Sequence, residues 1–179
     1  MSHPGNYIDH AGAGLERNAR NYTRCLRAVP GVRLLLEGTA GSGTALGSRF
    51  EELAELRERI ADDVRERVGF CLDTCHLYSA GYDLRGDYEG VWAHWERTIV
   101  AGLLGCLHLN DSRTAFGSHC DRHQLIGEGT LGPEPFRRIM RDPRFRQVPK
   151  IIETPKGKDM TNDRKMLRRL RRYARELGI

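Results

Sequence analysis

The chain has 179 residues, 39% of them apolar and 30% charged, a length and balance that suit one soluble domain with its own core. No apolar run approaches the roughly 20 residues a membrane-spanning helix needs, and Met1-Ser2-His3-Pro4-Gly5 has neither the basic nor the apolar stretch of a signal peptide. The net charge of +5 is uneven: residues 129–179 carry 15 Lys/Arg against 6 Asp/Glu, which suits a nucleic-acid or phosphate partner or, for Arg168, Arg169, Arg171, Arg172 and Arg175, a solvated helix face.

Residues 1–14 are turn-rich and read as the end of a strand. A helix follows with Leu15, Ala19, Tyr22, Leu26 and Val29 at helical spacing, stopped by Pro30-Gly31. The apolar run 32–36 ends at Glu37. A glycine-rich loop, 38–47, comes next; it lacks the Gly-Lys-Ser/Thr of a Walker A loop. Ser48 with Glu51 three residues on reads as a capping box opening a helix whose buried stripe is Phe50, Leu53, Leu56, Ile60 and Val64. Strand 68–73 ends in Asp73, with His76 three residues later. The next helix carries Tyr88, Val91, Trp92, Trp95 and Ile99, a stripe that reads as core rather than as a base-stacking platform.

Strand 104–110 carries His108, and a long polar loop, 112–132, holds Asp121-Arg122-His123 and Gly127-Glu128-Gly129. Pro133 suits the first turn of a short helix with Phe136, Ile139 and Met140. The last strand, 148–153, ends at Glu153. The final helix is expected to turn Leu167, Leu170, Tyr173 and Leu177 inward and its arginines outward.

Ligand-type residues close successive strands at 3, 37, 73, 108 and 153, a repeat that matches βα units of a parallel sheet. Two architectures follow: part of a (β/α)8 barrel, which typically needs about 250 residues, or an open doubly wound sheet. The glycine loop lacks the Gly-x-Gly-x-x-Gly opening of a dinucleotide site.

The residues that can carry chemistry are His3, Glu37, Asp73, His76, His108, Asp121, His123 and Glu153, all imidazoles or carboxylates. A cysteine-free set of this kind is typical of catalytic rather than structural zinc, and manganese or iron also fit. Eight ligands exceed what one four-coordinate ion takes, so two or three ions are implied, and clustered carboxylates would repel one another without cations. Neighbouring ions that share a carboxylate supply an oxygen nucleophile at neutral pH and a clamp for a phosphate. His10 and His119 read as surface residues. The five cysteines are odd in number and Cys71-x-x-x-Cys75 is no redox or zinc-ribbon spacing, so Cys71, Cys75 and Cys106 are expected to be reduced core residues of a cytoplasmic protein.

Taken together, His3-Pro4-Gly5, the run Glu37 to Gly47, Cys71-Leu72-Asp73-Thr74-Cys75-His76 with Tyr82-Asp83-Leu84, His108-Leu109-Asn110-Asp111, Asp121-Arg122-His123 with Gly127-Glu128-Gly129, and Glu153-Thr154-Pro155-Lys156 resemble endonuclease IV (deoxyribonuclease IV), the apurinic/apyrimidinic endonucleases of the xylose-isomerase-like TIM-barrel superfamily. The resemblance implies an α/β fold: a partial (β/α)8 barrel of about five units, strands 4 to 8, forming a single incomplete domain over 1–179 with the first three strands absent. It also implies zinc-dependent hydrolysis of double-stranded DNA 5′ to an abasic site in base excision repair, leaving a 3′-hydroxyl. One zinc ion would lie on His76, Asp121 and His123. A second would lie on Glu37, Asp73, His108 and Glu153, and a third on His3 and Glu37, with Glu37 bridging. Glu37 and Glu153 would be the carboxylates at the reacting centre, and Arg122 and Arg113 would face DNA.

Two departures stand out. Family members carry a further N-terminal segment that supplies another histidine ligand and the side chains entering the lesion, and they usually place a polar residue where this chain has Gly38. The other readings are an inactive fragment that still binds zinc or DNA, and a sugar isomerase-like member of the superfamily. The family is usually monomeric; two uncovered strand edges would give this chain a route to self-association.

Overall fold

The computed structural model describes residues 1–176. Its centre is a four-stranded parallel sheet of β1 (Leu34–Glu37), β2 (Val68–Asp73), β3 (Leu104–His108) and β6 (Lys150–Ile151), in the order β1-β2-β3-β6. Ser2 bridges in parallel to Leu36, so a fifth stretch of extended chain lies on the free side of β1. Spatial order therefore follows chain order throughout. This is the sequence of a βα barrel, and it lacks the reversal that defines a doubly wound sheet.

Alternation along the strands sorts side chains onto two faces. Leu36, Phe70, Leu72 and Leu107 fill one face and are fully buried under the helices, with Phe70 edge-on to Trp95 at 5.5 Å. The other face carries Glu37, Cys71, Asp73, Cys106 and His108, and register places Glu37 beside Cys71, Cys71 beside Cys106, and Asp73 beside His108. All six residues of β2 are buried, as its position between two strands requires.

The helices follow their strands: α1 (Ala11–Ala28), α2 (Phe50–Glu58), α3 (Asp62–Arg65), α4 (Thr74–Ala80), α5 (Tyr88–Thr98), α6 (Glu134–Arg141) and α7 (Thr161–Tyr173). Each of the longer ones buries an apolar stripe: Leu15, Ala19 and Leu26 in α1, Trp92 and Trp95 in α5, Phe136 and Ile139 in α6. No helix among the described residues is long and apolar enough to cross a membrane.

Several expectations fail in instructive ways. The capping box at Ser48 does not form. Helix α2 starts at Phe50 with Arg49 as a cap that offers no side-chain bond. The Tyr82 hydroxyl takes the Phe50 N–H at 3.0 Å, and Glu52, not Glu51, reaches back to the Gly47 N–H at 3.0 Å. The stripe from Phe50 to Val64 is buried but is split, with Phe50, Leu53 and Leu56 on α2, Ile60 in the link and Val64 on α3. His76 sits on α4, an unexpected helix. The polar loop contains a small hairpin, β4 (Asp111–Ser112) against β5 (His123–Gln124).

The last strand is only two residues long, and Ile151 is 42% exposed at its edge position. Val29 and Val32 are exposed beyond the ends of α1 and β1. In α7 it is Met166 that turns inward with Leu170 and Tyr173, while Leu167 is 41% exposed; Leu177 lies outside the described residues.

Gly129 shows how tightly the segment after β5 packs against β4. A Cβ there would overlap both Ser112 O and Asp111 Oδ1. Gly129→Ala is expected to lower stability by about 1–3 kcal/mol through overpacking, read as a fall in the urea midpoint. An unchanged midpoint would show that the loop can shift freely.

Candidate metal centre

The strand ends deliver Glu37, Asp73 and His108 to one rim, and the segments after Ser2 and after β6 add His3 and Glu153. Asp73 has two tasks. It ends β2 and caps α4, its Oδ1 accepting from Cys75 N at 2.7 Å and His76 N at 3.2 Å. The cap fixes the first turn of α4 and carries His76 back over the sheet. Asp121 and His123 arrive from the far side, on the arm that ends in β5.

All eight sequence-identified residues meet. His108 Nδ1 lies 2.8 Å from Glu37 Oε1, 3.2 Å from Glu153 Oε2 and 3.8 Å from Asp73 Oδ2. His76 Nε2 and His123 Nε2 each lie 3.2 Å from an oxygen of Asp121, and His123 Nε2 is 3.5 Å from Asp73. His3 Nε2 is 3.6 Å from Glu37 Oε2. Donor atoms of Glu37, Asp73, His108 and Glu153 fall within 4.8 Å of one another, as do those of His3, Glu37 and His76, and of Asp73, His76 and His123.

The ring nitrogens test whether this set suits a cation. His76 Nε2, His108 Nδ1 and His123 Nε2 are buried without a hydrogen-bond partner, although each has a carboxylate oxygen close by. The opposite nitrogens of two of these rings are held by main-chain carbonyls: His76 Nδ1 by Gly38 O at 2.8 Å, and His123 Nδ1 by Glu153 O at 3.3 Å. With the Nδ1–H bonded to a carbonyl, the Nε2 lone pair faces the carboxylates. A lone pair aimed at an anion is unfavourable unless a proton or a metal ion stands between them, and this outer bond is what metal-binding histidines use to fix their tautomer.

Charge tells the same story. Burial disfavours the His76 imidazolium, yet Asp73 and Asp121 outweigh it and raise the pKa to about 10. Burial likewise works against ionised Glu37, but His108 and His3 hold it well below the usual carboxylate range. The cluster draws positive charge inward, and the residues present fit divalent ions.

Two neighbours stand in the sequence motifs, which by themselves give them no role. Asn110 is fully buried; its Nδ2 donates to Asp73 Oδ2 at 2.6 Å and its Oδ1 accepts from Glu153 N at 2.8 Å. Thr74 Oγ1 donates to Asn110 O at 2.7 Å. The available signal was position: Asn110 follows His108 by two residues on an extended segment. We expect Asn110→Ala to weaken divalent-ion binding by roughly 10–100-fold, the usual effect of losing a group that orients the ligands, measured by competition with a chromophoric chelator. Unchanged affinity would mean that Asp73 and Glu153 hold their places without it.

Arg113 and Arg122 are exposed neighbours on the hairpin, Arg113 N donating to Arg122 O at 2.9 Å. A cavity of about 220 Å³ opens beside the centre, lined by His3, Asn6, Thr39, Ser42, His76 and Asp121. His119 is exposed, with its Nδ1 3.1 Å from Ala40 O, and His10 caps α1.

A family model described as the xylose isomerase-like TIM barrel matches residues 1–177. The chain belongs to that family. Within it, the chain is 48% identical to a probable endonuclease 4 of Chloroflexus aurantiacus over 96% of its own length and 61% of the relative's, and 46% identical to that of Chloroflexus aggregans over 98% and 62%. The crystal structure of endonuclease IV from Thermus thermophilus superposes with a TM-score of 0.82 at 37% identity, covering 98% of this chain and 61% of that one. These relatives bear out the resemblance read from the motifs. The chain thus spans about three fifths of the length of the TIM-barrel relatives it matches.

Proposed function

We propose that this chain is the metal-bearing portion of an endonuclease IV-type enzyme, one incomplete (β/α)8 domain over 1–179 corresponding to strands 4 to 8 of the barrel. It would act on double-stranded DNA at abasic sites and hydrolyse the phosphodiester 5′ to the lesion. The observation that carries this reading is the convergence of three buried, unpartnered histidine nitrogens on carboxylates from separate strand ends, in a chain similar to proteins named endonuclease 4.

Zinc is the expected ion. His76, Asp121 and His123 form one ligand group, Glu37, Asp73, His108 and Glu153 a second, and His3 with Glu37 a third. When bound, such ions activate water and neutralise the charge that develops on a phosphate under attack. The chain's own residues set the stage for that. Glu37 and Glu153 both approach His108 at the reacting centre. Gly38 O and Glu153 O lock two imidazoles in orientation. The glycine-rich loop walls the adjoining cavity with main chain and small side chains, which lets a sugar-phosphate backbone come close. Arg113 and Arg122 supply positive charge on the same arm as Asp121 and His123, suited to phosphate.

The test is incision of a duplex bearing one abasic-site analogue by the purified chain, with a chelator control and a parallel measurement of bound metal. Chelator-sensitive nicking on the 5′ side is expected. A chain that binds no divalent ion overturns the reading. Turnover of a sugar with DNA left intact would replace it with an isomerase-like one, and retained metal without nicking would place the chemistry in the longer relatives alone.

A further inference from the structure

One pair of buried nucleophiles has no part in the ligand set above. On the sheet face that carries Asp73 and His108, two residues back along each strand, stand Cys71 and Cys106. They are direct partners across β2 and β3, and both are free thiols, 0% and 3% exposed. Their sulfurs and a ring nitrogen of His108 all lie within 4.8 Å of one another. An ion with metal–sulfur bonds of about 2.3 Å in tetrahedral geometry needs donors about 3.8 Å apart, so this triangle requires little movement to close on one.

We infer that Cys71, Cys106 and His108 form a thiophilic cation site, one layer beneath the carboxylate–imidazole centre and sharing His108 with it, which takes a soft ion such as cadmium or cuprous copper. Ligand type separates the two sites. Thiolates favour thiophilic ions, cuprous copper and cadmium as well as zinc, whereas a hard ion such as manganese suits only the upper set of carboxylates and imidazoles. Loading releases both thiol protons to solvent and forms two metal–sulfur bonds, with no change of oxidation state. Because His108 belongs to both groups, an ion in the lower site is coupled to the upper one.

The experiment is a cadmium titration of the chain under a phosphine reductant, following the ultraviolet thiolate-to-cadmium charge-transfer band. The band is expected to saturate at one thiolate-bound ion per chain, with two thiolate ligands, whatever further cadmium the upper carboxylates and imidazoles take up without a thiolate band. The band should vanish in Cys71→Ser and in Cys106→Ser, and survive in the double variant Cys25→Ser/Cys120→Ser, which removes the two exposed cysteines. A band that persists in Cys106→Ser, or is lost with Cys25 and Cys120, overturns the assignment. X-ray absorption of the cadmium-loaded unmodified chain avoids any question of misfolded variants: sulfur and nitrogen bonded to cadmium support the site, and oxygen neighbours alone end it.

Discussion

Glu37→Gln should cost the centre more than any other single replacement. Each Glu37 oxygen faces a different imidazole, Oε1 towards His108 at 2.8 Å and Oε2 towards His3 at 3.6 Å, and Glu37 is the one residue shared by the His3 and Glu153 groups. Glutamine keeps the shape, removes the charge and turns one acceptor into an N–H2 donor. Losing a group that merely orients a ligand typically costs about 10–100-fold in metal affinity, so a carboxylate common to two groups should exceed roughly 100-fold for at least one ion.

The decisive readout is stability with and without metal. Without ions, the variant should already be somewhat less stable than the unmodified chain at neutral pH, because glutamine gives up the charge that His108 and His3 stabilise. With zinc present, the unmodified chain should gain stability and the variant should gain less. A residue that served only packing would destabilise both forms equally, and that pattern would remove Glu37 from the centre. Loss of nicking should accompany loss of metal if the endonuclease reading holds.

The parts of this molecule that were legible in the sequence are those where chemistry and periodicity coincide. Buried runs ending in Glu37, Asp73 and His108 announced both the parallel sheet and the rim where its ionisable residues meet, because a strand between two neighbours must be apolar until it reaches the surface. What stayed hidden depends on contacts between segments distant in the chain. Ser48 has the local sequence of a cap, but Tyr82, 32 residues beyond Phe50, supplies the partner. Helix α4 was unreadable because its N-cap is Asp73, a residue already claimed by the strand. Its C-terminus is set by Gly81 at φ 101°, a left-handed conformation that suits glycine. The role of Asn110 was unreadable for a similar reason: its partners Asp73 and Glu153 are 37 and 43 residues away. In α7, Met166 and Leu167 are adjacent and both apolar, so spacing alone could not say which turns inward.

The largest effect on folding is expected from Asp111→Ala. Asp111 is fully buried at the foot of the arm that carries Asp121 and His123. Its Oδ1 accepts from Ser112 N at 2.8 Å, Leu131 N at 3.1 Å and Gly132 N at 3.4 Å, and its Oδ2 from Gly127 N at 2.8 Å and Gly129 N at 3.0 Å. One side chain thereby replaces the hydrogen bonds that a strand or helix would otherwise give to residues 127–132. Alanine leaves these main-chain donors without an acceptor. A buried donor stripped of its partner costs about 1–3 kcal/mol, and the donors nearest the surface will recover part of that from water. A net loss of about 3–5 kcal/mol is expected, large against the roughly 5–15 kcal/mol typical of a domain. The urea midpoint measures it. If the proposed ligand groups hold, the same variant should weaken ion binding by His76, Asp121 and His123 more than by Glu37, Asp73, His108 and Glu153, since only the first group depends on the arm. A loss below about 1 kcal/mol would mean that water substitutes for the carboxylate and that the arm is held by its other contacts.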